Sequence, residues 1–270
     1  MTTRDHRAQL RGLRFHWLER GVPGAPPLLM LHGGAQTAHS FDEVAPDLAR
    51  DHHVVCVDQR GHGDTGWAPR YRRDDFVDDV DALLDRLRWD AASVVGMSLG
   101  GLNSIAFAAC RPARVRALVV VDVIPSVTTE GRDSIAKQLA VQEFARFEDA
   151  VASAHAFNPR RTLENIRERL GHAMRECPDG KWRYKYDPGI ASGIADIDRL
   201  WSEVRRIACP VLLVRGAESP MITDAGVERF RREARYGRVA TVAGAGHSVM
   251  GDNPAGFLAA VRPFLARAGG

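Results

Sequence analysis

The chain has 270 residues, long for one domain and short for two, so one core with an insertion is expected. Hydrophobic residues make up 45% and charged residues 26%, the balance of an ordinary globular protein, and a formal net charge of +3 with both signs interspersed argues against a nucleic-acid partner. No run approaches the ~18 apolar residues of a membrane span, and the N-terminal "MTTRDHRAQLRGLRF" has no apolar stretch of signal-peptide type.

The first half alternates short strands with amphipathic helices. "GLRFHWLER" (12–20) reads as a strand, and "PPLLMLHGG" (26–34) is an apolar run ending in glycines, as in a strand buried on both faces. "HHVVCVDQRGHG" (52–63) repeats that design. "DDFVDDVDALLDRLRW" (74–89) sets Phe76, Val77, Val80, Leu83, Leu84 and Leu87 on one helical face. "ASVVGMS" (92–98) predicts a strand, 99–110 a helix, and "VRALVVVDVIP" (115–125) a further buried strand stopped by Pro125. From 126 to 200 no strong strand is legible; charged, helix-like stretches predict a helical cap. The alternation returns with "CPVLLVRGAES" (209–219), a helix at 223–235, "GRVATVAGAGH" (237–247) and a last helix at 253–267.

This order implies a mostly parallel sheet with helices on both faces, its core formed by 1–125 and 201–270 and a helical cap at 126–200 inserted after the sixth strand. Ligands in such sheets bind at the carboxyl ends of the strands. The loops at 32–35, 58–66, 96–99, 122–125, 216–220 and 244–248 all follow strands and are expected to gather at that edge, beneath the cap. Four cysteines, at 56, 110, 177 and 209, make no C-x-x-C pair, and Cys56 and Cys209 fall in or beside apolar runs as small buried hydrophobes. A reduced, cytoplasmic protein without disulfides is expected.

"VVGMSLGG" (94–101) holds one serine between glycines at i−2 and i+2. G-x-S-x-G arises by chance in roughly one chain in ten of this length. Placed between a strand and a helix, however, it predicts a sharp turn that exposes the Ser98 hydroxyl at a helix N-terminus, where free N–H groups favour an oxyanion. A serine needs a base, and "GAGHSV" (244–249) supplies His247 after the last strand. His32 and His62 also follow strands, but their expected task is to hold those loops by hydrogen bonds. The N–H of Leu99, after the nucleophile, and that of Gly34, in the glycine-rich turn "HGG", are the expected oxyanion donors.

The pieces "LMLHGG", "DQRGHGDT", "GMSLGG", "LVVVDVIP", "LLVRGAES" and "GAGHSV", in this order over about 28 to 250, resemble the alpha/beta-hydrolase superfamily and its small capped serine esterases. The resemblance implies that fold and a Ser-His-acid triad. Many relatives carry the acid after the penultimate strand, but this chain reads Gly216-Ala217-Glu218-Ser219-Pro220 there. Two substitutes remain. Asp122 ends the strand after the nucleophile helix, where some small esterases place their acid; Glu218 could reach from the usual loop. Asp224 is a third, at the start of a helix. Asp122 is preferred, with a plain strand-end aspartate bonding loop N–H groups as its competing role.

The expected reaction is hydrolysis of carboxylic esters or lactones of small to medium size through an acyl-enzyme, by a monomer or homodimer acting on a small molecule. It needs no cofactor, and no cluster shows metal-ligand spacing. A carbon–carbon bond hydrolase of the meta-cleavage type would use the same triad with a buried arginine for an acidic substrate, the cap offering Arg160, Arg161, Arg183 and others. A non-catalytic binding protein on the same scaffold is the remaining alternative. "KWRYKYDP" (181–188) could line the pocket or form the cap's surface.

Overall fold

A computed structural model describes residues 2–193 and 197–268. Runs of β-branched and aliphatic residues form the central strands: β1 (Arg4–Leu10), β2 (Leu13–Arg20), β3 (Pro27–Leu31), β4 (His53–Val57), β5 (Ala92–Met97) and β6 (Val115–Val121). With β10 (Val211–Gly216) and β11 (Gly237–Val242) they make one eight-stranded sheet of order β1-β2-β4-β3-β5-β6-β10-β11. The pairs β1–β2 and β2–β4 are antiparallel, and every pair from β4 to β11 is parallel. Parallel neighbours need crossovers, so helices cover both faces. The short α1 (Ala45–Leu48) and the long α10 (Pro254–Ala268) pack on one face; α2 (Arg73–Leu87) and α3 (Leu99–Cys110) pack on the other. Both cores are dry, with β3, β4 and β5 almost wholly buried.

β1 was not anticipated. Its residues, RDHRAQL, alternate half-buried and exposed at the sheet edge, so the apolar signal that marks a core strand is absent. The segment after β6 also departs from a purely helical cap. It holds α4 (Thr129–Ala140), α5 (Phe147–Phe157) and α6 (Leu163–Ala173). It also holds three short strands, β7 (Glu143–Phe144), β8 (Met174–Glu176) and β9 (Trp182–Tyr184), in an antiparallel sheet of order β7-β9-β8. Ala150, Val151, Ile166, Leu170 and Met174 give this insertion its own small core. α7 (Ile197–Arg206) belongs elsewhere: Leu200, Trp201 and Val204 are buried in the main core, so the helix that spans the expected boundary at 200 packs with that core, against α3.

The strand-end loops gather at one edge. His32 donates Nδ1–H to the Gly33 carbonyl (2.7 Å) and accepts the Gln59 N–H at Nε2 (3.0 Å), tying the end of β3 to the end of β4. Gln59 in turn donates to the His32 carbonyl (2.7 Å) and accepts from Asn103 of α3 (2.8 Å). His62 lies edge-on to His32, ring centroids 4.9 Å apart, and donates to the Arg60 carbonyl (3.0 Å). Both histidines are fully buried and hold the loops, as expected of them. Asp58 accepts the Ala38 N–H (2.7 Å) and pairs with His16 (2.7 Å), so loop 58–66 buttresses the site from behind.

Burial, followed by the neighbouring His32, pushes the His62 pKa down to about 3. Unfolded, the same ring takes a proton near about 6.5. Between those values the unfolded chain binds the extra proton, so stability falls as pH is lowered below about 6.5. His62→Gln is expected to flatten that slope between about pH 6.5 and 4.5 in denaturant titrations; an unchanged slope would contradict this origin.

The turn from β5 into α3 demands close backbone approach. A Cβ at Gly100 would stand 2.2 Å from the Leu31 carbonyl oxygen, and one at Gly96 would stand 2.3 Å from the Gly100 oxygen. Gly100→Ala should therefore lower stability by about 3 kcal/mol, since backbone cannot move aside cheaply. Gly171→Ala, in α6 with open space around the new methyl, should be neutral or stabilising by up to ~1 kcal/mol. Thermal denaturation of the two variants checks the contrast.

Candidate active site

Ser98 is the residue between β5 and α3, and its backbone is left-handed, φ 51° and ψ −115°. Such a conformation costs a non-glycine residue about 1–3 kcal/mol and is held only by its surroundings. Here the Ser98 N–H donates to the Val121 carbonyl (3.1 Å) and the Gly100 N–H to the His32 carbonyl (3.1 Å), pinning the turn to both neighbouring strands. The hydroxyl is thereby directed out of the strand, at the first turn of α3.

His247 Nε2 lies 3.1 Å from Ser98 Oγ, and His247 Nδ1 lies 2.9 Å from Asp122 Oδ2. Asp122 is fully buried and also left-handed, φ 50°. Its Oδ1 accepts the Gly216 N–H (3.0 Å), its Oδ2 accepts the Ser219 hydroxyl, and its own N–H donates to the Val214 carbonyl (2.8 Å). A buried carboxylate keeps its charge only with such donors. The geometry thus gives His247 a carboxylate partner at Nδ1, which leaves the Nε2 lone pair facing the serine.

The competing carboxylates are engaged elsewhere. Glu218 is half-exposed and pairs with Arg160 (2.6 Å). Asp224 is 92% exposed at its side chain and pairs with Arg215 at the start of α8 (Asp224–Glu233). The loop that lacks the expected aspartate instead supplies two hydrogen-bond donors, from Gly216 and Ser219, to the carboxylate of the neighbouring strand. Ser219 was not singled out from the sequence; a serine two residues before Met221 carries no motif, and only the fold brings it to Asp122.

The N–H groups of Gly34 and Leu99 both border this centre. Leu99 is the first residue of α3, where an N–H has no acceptor within the helix. Among the described residues neither N–H has a protein partner. The Gln36 side chain accepts the Gly33 N–H (3.1 Å) and so shapes the turn that carries Gly34.

A cavity of about 330 Å³ is bordered by Gly34, by Met97, which precedes Ser98, and by His247. The insertion roofs it with Ile135, Phe157, Leu170 and Tyr184. Three arginines also reach its wall; two pair with carboxylates, whereas the buried Nη1 of Arg169 has no hydrogen-bond partner among the described residues. Arg160 pairs with Glu218; Arg161 pairs with Asp252 (3.3 Å) and Glu43 (3.4 Å); Arg169 donates to Ser40 (3.1 Å). Asp252, in α9 (Val249–Asp252), also accepts the Gly246 N–H (2.9 Å) and so fixes the loop of His247. The stretch 181–188 serves both uses that the sequence left open. Tyr184 faces the cavity and Trp182 packs on Phe147, whereas Lys181 and Arg183 face outward to Glu143 and Asp179.

Comparison with known proteins follows the same lines. Residues 26–254 match the family model described as alpha/beta hydrolase fold. The chain is 35% identical over 251 residues to the esterase Rv0045c of Mycobacterium tuberculosis, covering 89% of this chain and 83% of that protein. It is 30% identical over 271 residues to a 3-hydroxybutyrate-oligomer hydrolase of Cupriavidus necator, covering 92% of this chain and 91% of that protein. Among solved structures, E-2-(acetamidomethylene)succinate hydrolase superposes with a TM-score of 0.89 at 27% identity, covering 98% of this chain and 100% of the other. The Rv0045c esterase superposes with a TM-score of 0.84 at 32% identity, covering 98% and 92%. By sequence, sheet order and the turn at Ser98, the chain belongs to the alpha/beta hydrolase fold family.

Proposed function

We propose that the chain is a serine hydrolase of carboxylic esters or lactones of small to medium size. The observation that carries this reading is the continuous hydrogen-bonded chain from Ser98 through His247 to the buried Asp122. Ser98 Oγ attacks the substrate carbonyl while His247 Nε2 takes its proton. The oxyanion accepts from the N–H groups of Gly34 and Leu99, and Asp122 stabilises the imidazolium. His247 then returns the proton to the departing alcohol, leaving an acyl-enzyme. Water attacks that ester by the same path in reverse, giving the carboxylic acid and restoring Ser98.

A cavity of about 330 Å³ lies at the small end of ligand sites, which suits a short or medium acyl group. The Rv0045c esterase relative supports the ester class, whereas E-2-(acetamidomethylene)succinate hydrolase supports only a hydrolase. A meta-cleavage hydrolase would want an arginine free for an acidic substrate; Arg160 and Arg161 are both occupied by carboxylates, whereas Arg169, also on the cavity wall, pairs with none among the described residues. The four cysteines are free, two of them buried, and no helix among the described residues is long and apolar enough to cross a membrane.

Turnover of p-nitrophenyl esters from acetate to decanoate tests this reading. Wild type should be saturable, with an optimum at short to medium chains, and Ser98→Ala should abolish it. Asp122→Asn is expected to lower kcat by about 10⁴, through the wrong histidine tautomer, while Glu218→Gln stays within about tenfold of wild type. The reverse ranking would move the acid to Glu218, and equal turnover in Ser98→Ala would refute the serine mechanism.

A further inference from the structure

Away from Ser98, the described residues bring together His39, Asp42 and His172, with one ligand atom of each lying within 4.8 Å of the others. His39 stands in the 3-10 turn Ala38–Phe41, just after the loop of Gly34, and borders the cavity. His172 stands in the last turn of α6, on the insertion. The two rings are stacked, centroids 3.4 Å apart and planes 7° from parallel. Asp42 is anchored by Arg20 (2.5 Å) and lies 2.7 Å from His39 Nδ1. A carboxylate at Nδ1 fixes the tautomer that leaves a lone pair on Nε2, which is how metal-ligating histidines are commonly oriented.

We propose that His39 and His172, with Asp42 orienting His39, bind a divalent transition-metal ion that clips α6 of the insertion to the turn beside the cavity. Imidazole donors suit Zn²⁺, Ni²⁺ and Cu²⁺. Two protein nitrogens leave the other positions to water. Stacked rings point their nitrogens side by side, so one ring must turn to bring both onto the ion. That rotation is about χ2, a soft torsion for histidine. The hydrolytic steps above use none of these side chains. The two histidines stand on separate elements far apart in the chain, so no sequence spacing announces the pair.

Nickel(II) chloride titrated into the full chain, read by calorimetry and by thermal denaturation, tests the site. Wild type should bind about one ion per chain with a rise in Tm. His172→Gln and His39→Gln should each weaken binding by about tenfold or more and lose the rise. No binding by wild type, or undiminished binding by both variants, overturns the proposal. Neither readout uses ester turnover, so the result is independent of the proposed function.

Discussion

The site depends on keeping one buried carboxylate charged. Asp122 lies at the end of β6 with no solvent contact, where an unpartnered ion would be strongly disfavoured. Three donors surround it: Gly216 N–H, Ser219 O–H and His247 Nδ1–H. One comes from the last residue of β10, one from the loop after it and one from the loop after β11. The carboxylate thus joins three strand ends, and the parallel pairing of β6, β10 and β11 brings those ends level. Losing this carboxylate would remove the hydrogen bond that holds His247 toward Ser98.

The opposite side of the site depends on backbone approach. Ser98 holds a strained conformation because the turn is pinned to β3 and β6 and because glycine at 96 and 100 lets the strands and α3 meet. The strain and the buried charge are both local costs, and the dry cores on either side of the sheet offset them. The insertion adds a roof. Its contacts with the sheet edge are largely polar: Asn165 to Glu43 (2.8 Å), Lys185 to Asp64 (2.9 Å) and Tyr71 to Asp187 (2.6 Å). A cavity with apolar side chains in its roof and polar groups on its wall fits the proposed ester chemistry.

Much of this was legible in the sequence. Apolar runs bounded by glycine or proline mark β3 to β6 and β10, and α3 begins and ends where its pattern does. Ser98 and His247 carry local motifs, and Asp122 ends an obvious buried strand; the structure joins all three by hydrogen bonds. What stayed hidden lacks local signal. β1 is polar along an edge. β7, β8 and β9 are two or three residues long and rich in charge, so their pairing comes from tertiary contacts. Ser219 meets Asp122, and His39 meets His172, only through the fold.

The central claim is that Ser98 is the activated nucleophile. Incubation with a p-nitrophenyl alkylphosphonate, followed by intact mass and peptide mapping, tests it most directly. The account predicts release of about one p-nitrophenolate per chain and a single phosphonyl adduct on Ser98, formed much more slowly in a His247→Gln variant. An adduct on another residue, or none while ester turnover persists, would contradict it.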